Sequence, residues 1–132
     1  MDFLDLIDRN VFLTKVFPDG LNEPVKIGKL CLEVGGRSSI NIHVKKKPDI
    51  EVKKWGEWGK DYNTIVLVLS GGRVDEIKAT NWEKSDYQDI HIKSIEKKYL
   101  VSQKGQDWEV EFSTDGFVFQ ECRVYFDDST SS

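Results

Sequence analysis

Ile65 to Leu69 reads IVLVL, an unbroken apolar run rich in β-branched residues. It is far shorter than the roughly 18 to 20 residues that cross a bilayer, so it reads as an interior strand and not a membrane helix. A half-exposed strand alternates apolar with polar side chains. This one does not, which predicts burial on both faces and a central place in a sheet. Gly71 and Gly72 follow at once and accept positive φ without steric cost, so a hairpin is expected there.

Around that strand the pattern has period two. Leu30, Leu32 and Val34 are expected to point inward, Gly35-Gly36 to turn the chain, and Ile40, Ile42 and Val44 to resume the alternation as a hairpin. Glu76 to Trp82, Asp89 to Ile95, Tyr99 to Ser102, Trp108 to Phe112 and Phe117 to Phe126 continue the series, with turns at Lys104-Gly105-Gln106 and Thr114-Asp115-Gly116. Val11 to Phe17 is expected to form an edge strand that ends at Pro18-Asp19-Gly20. Lys45 to Lys47 and Pro48 predict an exposed basic break that opens a loop to Trp58. Phe3, Leu4, Leu6 and Ile7, opposite Asp2, Asp5 and Asp8, suggest a turn or two of helix. The expected fold is mainly β: an antiparallel β-sandwich or partial barrel with a short N-terminal helix. It would form one domain over residues 1–128, followed by a frayed polar tail from Ser129 to Ser132.

The composition, with a net charge of -4, is that of a soluble protein. The opening MDFLDLIDRN has acids where a secretory signal carries Lys or Arg, which predicts a cytoplasmic location. Cys31 and Cys122 lack Cys or His partners at metal-ligand spacing and are expected to be buried free thiols. The glycine pairs lack any phosphate-binding context, so no cofactor is implied. His43 and His91 both fall on the polar phase of a strand and are expected to be solvated, leaving acid–base catalysis without a candidate. Acidic pairs such as Asp107 with Glu109 can in principle hold a cation or hydrolyse a glycoside. On a strand, however, they stand side by side in solvent, without the cleft that would raise one pKa.

Two features suggest binding instead. Trp55 and Trp58, set among Gly56 and Gly59, can fill the core, anchor a protein partner or stack on a sugar, and the last reading makes a carbohydrate-binding β-sandwich the alternative function. Nucleic acid is disfavoured because the chain as a whole is acidic, although Lys53, Lys54 and Lys60 flank the site. The second feature is charge asymmetry. From Gly105 onward seven carboxylates face Arg123 alone. Trp108, Val110 and Phe112 share one face of their strand, so Asp107, Glu109 and Glu111 share the other. That stripe is either an ordinary solvated surface offset by lysines on adjacent strands, such as Lys93 or Lys98, or a patch that steers a basic protein partner. On the second reading the partner-binding residues are Asp107, Glu109, Glu111, Asp86 and Asp89, with Trp82 or Tyr87 as an anchor.

The segments KWGEWGKDYNTIVLVLSGG, IKATNW and GFVFQECRVYF together resemble the immunity protein 50 family of bacterial polymorphic toxin systems, over roughly the C-terminal 80 residues. The resemblance implies a non-enzymatic cytoplasmic antidote without a cofactor, which binds a cognate toxin C-terminal domain and blocks its active site; the acidic stripe makes a basic nuclease such as an RNase the expected toxin. The expected complex is one monomer to one toxin domain, with no contact to nucleic acid or membrane.

Overall fold

A computed structural model describes residues 1–128; the tail expected at Ser129 to Ser132 lies outside them. The IVLVL run lies in β4 (Thr64–Gly71), the middle strand of a five-stranded sheet. Its other members are β1 (Ile7–Asp8), β2 (Val25–Leu32), β3 (Ser38–Val44) and β9 (Phe117–Tyr125), in the order β1-β9-β4-β3-β2. A four-stranded sheet in the order β5-β8-β7-β6 contains β5 (Val74–Thr80), β6 (His91–Ile95), β7 (Lys98–Lys104) and β8 (Glu109–Thr114). Every strand pair is antiparallel except β1 with β9. The result is a mainly β sandwich with no closed barrel. No helix among the described residues is long and apolar enough to cross a membrane.

Several expectations change. Ile65, Leu67 and Leu69 are fully buried on the inner side; on the outer side Thr64 is fully buried too and Val66 retains only 7% exposure, while Val68 is half-buried. The central strand is therefore buried on both faces over its first half and opens to solvent on the outer side from Val68 onward. Gly71-Gly72 closes no hairpin: β4 and β5 belong to different sheets, and the glycines carry the chain from one to the other. A side chain at Gly71 would meet Ser38 Oγ and, at 2.9 Å, the Phe117 ring. Strand β2 begins at Val25, earlier than its alternation suggests, and its inward residues are Val25 and Ile27. A bulge at Gly28 restores the register, so Leu30 is half-buried, while Leu32 and Val34 lie at an open end in solvent.

Val11 to Val16 is an α-helix, α1, and not an edge strand. Its apolar residues also fit helical spacing: Leu13, Val16 and Phe17 enter the core, and Phe12 packs at 5.9 Å against Trp55 and 6.2 Å against Phe119. Short stretches of this composition take the form that buries them best, and tertiary packing outweighs β propensity. Phe3–Leu6 forms a single 3-10 turn, and Asp2 pins it to the next segment by accepting hydrogen bonds from the N–H groups of Leu4 (2.9 Å) and Leu21 (2.8 Å). The lysines after β3 are engaged: Lys45 pairs with Asp127 at 3.0 Å and Lys46 donates to the Gly20 carbonyl at 3.2 Å.

Candidate partner-binding face

Along β8, Val110 and Phe112 enter the core with Trp108 just ahead of them, so Glu109 and Glu111 project outward. Register sets their neighbours. Glu109 lies between Thr80 and Lys104, and Glu111 between Lys78 and Ser102. Lys78 Nζ reaches Glu109 Oε1 at 3.5 Å. Further along β5, Asp75 receives Lys98 Nζ at 2.8 Å and Arg73 Nε at 3.3 Å, and the hydrogen bond from Lys98 holds its carboxyl below the usual carboxylate range. Glu111 makes no ion pair among the described residues. The acidic row is thus one strand wide, with lysines on the strands at either side. Opposite charges across a ladder stabilise each other by about 0.2–1 kcal/mol, less in solvent.

Asp107 lies in the turn before β8, where its carbonyl accepts a hydrogen bond from Asn81 Nδ2 at 2.6 Å. Asn81 opens a crossover that carries the chain from β5, at one edge of the four-stranded sheet, to β6 at the other. Trp82 is half-buried in a 3-10 turn; Asp86 and Asp89 are exposed, and Asp86 accepts from the Tyr87 N–H at 2.8 Å. The crossover is tied down at Gln88, whose backbone exchanges hydrogen bonds of 3.0 and 3.1 Å with Val25 of the other sheet. Gln103, 1% exposed, donates its amide to both carbonyls, at 2.8 and 3.0 Å. Tyr87 turns toward the five-stranded sheet, with the Lys45 and Lys26 ammonium groups 4.9 and 5.2 Å from its ring centre, and burial pushes its phenol well above the ordinary value. Glu109 and Glu111 therefore share one face and Asp107 flanks it, whereas Tyr87 faces elsewhere.

The remaining candidates fall into place by burial. Trp55 is 6% exposed and edge-on to Tyr62 and Phe12, so it is core; half-buried Trp58 meets Tyr62 at 5.4 Å and 85°. A two-tryptophan sugar platform is absent. Cys31 and Cys122 are half-buried rather than buried, and burial pushes the Cys122 thiol up to about 12, which keeps it protonated and unreactive at neutral pH. His91 is exposed on the outer face of the four-stranded sheet, whereas His43 projects from the outer face of the other, so no cleft joins them. No group of metal-ligating side chains occurs among the described residues.

His43 is not freely solvated. It lies over Gly28, with Nδ1 2.9 Å from Tyr125 Oη, and burial, reinforced by Lys26, lowers its pKa. Below the unfolded value of about 6.5 the unfolded chain binds the proton more readily than the folded one, so protonation favours unfolding. Urea midpoints are expected to fall as pH drops from 7 through 6.5 toward the lower folded value, and His43→Gln should flatten that part of the profile. An unchanged slope in the variant would contradict this assignment.

One feature escapes the sequence reading. On the same outer face as Glu111, a groove of about 770 Å³ opens beside the β6–β7 turn, with Glu76, Glu96, Ile95 and Leu100 along it. Glu76 and Glu96 have φ of 51° and 56°, which nothing in their side chains announces.

The family model described as immunity protein 50 matches residues 23–125. The match reaches back through β3 and β2, beyond the segments that carry the resemblance in the sequence. No curated protein and no solved structure matches.

Proposed function

Because the chain belongs to the immunity protein 50 family, we propose that it is an inhibitor and not an enzyme, binding the C-terminal domain of a cognate bacterial toxin and blocking its active site. The family match carries this reading. The toxin domain is a basic nuclease, such as an RNase, met in the cytoplasm as a one-to-one complex with a monomer of this chain. Contact is made through the outer face of the four-stranded sheet by Glu109 and Glu111, with Asp107, Asp86 and Asp89 extending it and Trp82 as an anchor. Glu111, exposed, and Glu109, half-buried, project outward from alternate positions of β8, which supports the choice of face. Charges at the rim speed encounter and make it salt-sensitive, while the buried centre of the contact sets its lifetime.

Co-expression with the toxin encoded beside this gene tests the reading. Growth is expected to be restored and the two chains to elute together on gel filtration. Continued killing with no complex would remove the proposal.

A further inference from the structure

The two sheets have four edge strands, and three of them are ill suited to take a further strand. Strand β1 is two residues long. Strand β2 is bulged at Gly28, and its first residue, Val25, already exchanges backbone hydrogen bonds with Gln88. Strand β5 has a register shift between Asp75 and Lys78. Bulges of this kind twist an edge away from pairing. Strand β6 is different. His91 to Ile95 pairs residue for residue with Ser102 to Lys98 of β7, without a register shift, and no other backbone hydrogen bond reaches it among the described residues. In an antiparallel pair alternate residues turn their N–H and C=O groups away from the partner, so β6 offers these groups along a regular edge.

Its side chains decide what fits beside it. His91, Lys93 and Ile95 lie on the outer face, opposite Ser102, Leu100 and Lys98, so no carboxylate of β6 or β7 stands next to Lys93. Lys93 is exposed and makes no ion pair among the described residues, and Ile95 is 46% exposed. A second copy of the chain fits poorly. Two-fold pairing that overlaps all five residues runs antiparallel and sets the two Lys93 side chains opposite each other, and like charges so placed destabilise a ladder. A strand of different sequence that brings a carboxylate to this position gains a favourable pair instead. We propose that the toxin domain docks by adding a strand to the free edge of β6, with a carboxylate side chain opposite Lys93 and an apolar one beside Ile95. This rests on the reading of the chain as a toxin inhibitor and names the element that fixes the toxin's register on the face already described. Neighbouring strands lie about 4.8 Å apart, so β8, two strands away with Glu109 and Glu111, is about 10 Å from β6 and within reach of a basic domain held at that edge.

Amide hydrogen exchange tests the inference, read by NMR on the labelled chain with and without the unlabelled toxin domain encoded beside this gene. The β6 amides that turn away from β7 are expected to exchange quickly in the free chain and about a hundredfold more slowly in the complex, which contact through side chains alone does not produce. By titration calorimetry, Lys93→Glu should bind about tenfold more weakly, although it makes the chain more acidic and so more attractive to a basic domain. Lys29→Glu, the same reversal on β2 of the other sheet, should not weaken binding. If the toxin domain binds and those amides stay fast, the edge is overturned and the inhibitor reading stands. If the chain alone forms a dimer that protects the same amides, the edge belongs to a second copy and not to the toxin. If wild type forms no complex with the toxin domain, both readings fall.

Discussion

Deleting residues 1–22 is expected to abolish cooperative folding, although the family match begins only at residue 23. Phe3, Leu4, Leu6, Ile7, Leu13, Val16, Phe17 and Leu21 all lie in the same core as the two sheets. Phe3 packs 6.1 Å from Phe117, whose ring also meets Phe112 of the other sheet at 6.4 Å, and β1 covers the free edge of β9. Fully burying one such side chain stabilises a fold by about 1.5–3 kcal/mol. The net stability of a typical small protein is only about 5–15 kcal/mol, so losing all eight leaves nothing in reserve. Circular dichroism on the 23–132 fragment should show no thermal transition; a cooperative melt like that of the full chain would contradict this account of the N-terminal segment.

The second large effect is at Trp55. Trp55→Ala removes a ring that is 6% exposed and joins Phe12 of α1 to Tyr62 ahead of β4, both at 5.9 Å and edge-on. Truncating an aromatic in a packed core costs about 3–5 kcal/mol through lost burial and the cavity left behind. Urea denaturation should show a loss of that size. A variant of unchanged stability would mean that the indole is exposed, as a sugar-stacking platform requires.

The period-two strands were legible because alternation depends only on which side of the pleat faces the core, and Val110 with Phe112 or Ile40 with Ile42 states this directly. The family was legible from the aromatic entry, the apolar strand and the terminal aromatic strand. Helix α1 was not, because Phe12, Leu13, Val16 and Phe17 satisfy a helical stripe and an imperfect strand alike, and their neighbours in space decide between them. The sheet change at Gly71-Gly72 was hidden for a related reason: a glycine pair permits a reversal but does not say whether the next strand pairs with the last. Among the site residues, the outward direction of Glu109 and Glu111 followed from the alternation, but their different surroundings did not. Cross-strand register sets Lys104 opposite Glu109 and Lys78 opposite Glu111, and that register depends on a bulge near Glu76 that no local pattern marks.

The central claim is that the outer face of the four-stranded sheet, and not that of the five-stranded one, meets the toxin. Backbone amide chemical shifts of the labelled chain, recorded with and without the unlabelled toxin domain, address it most directly. The account predicts shifts concentrated in β6, β7 and β8 and at Glu76, with Asn41, His43 and Val68 unmoved. Shifts confined to Asn41, His43, Val68 and Arg123 would place the partner on the opposite face and contradict it.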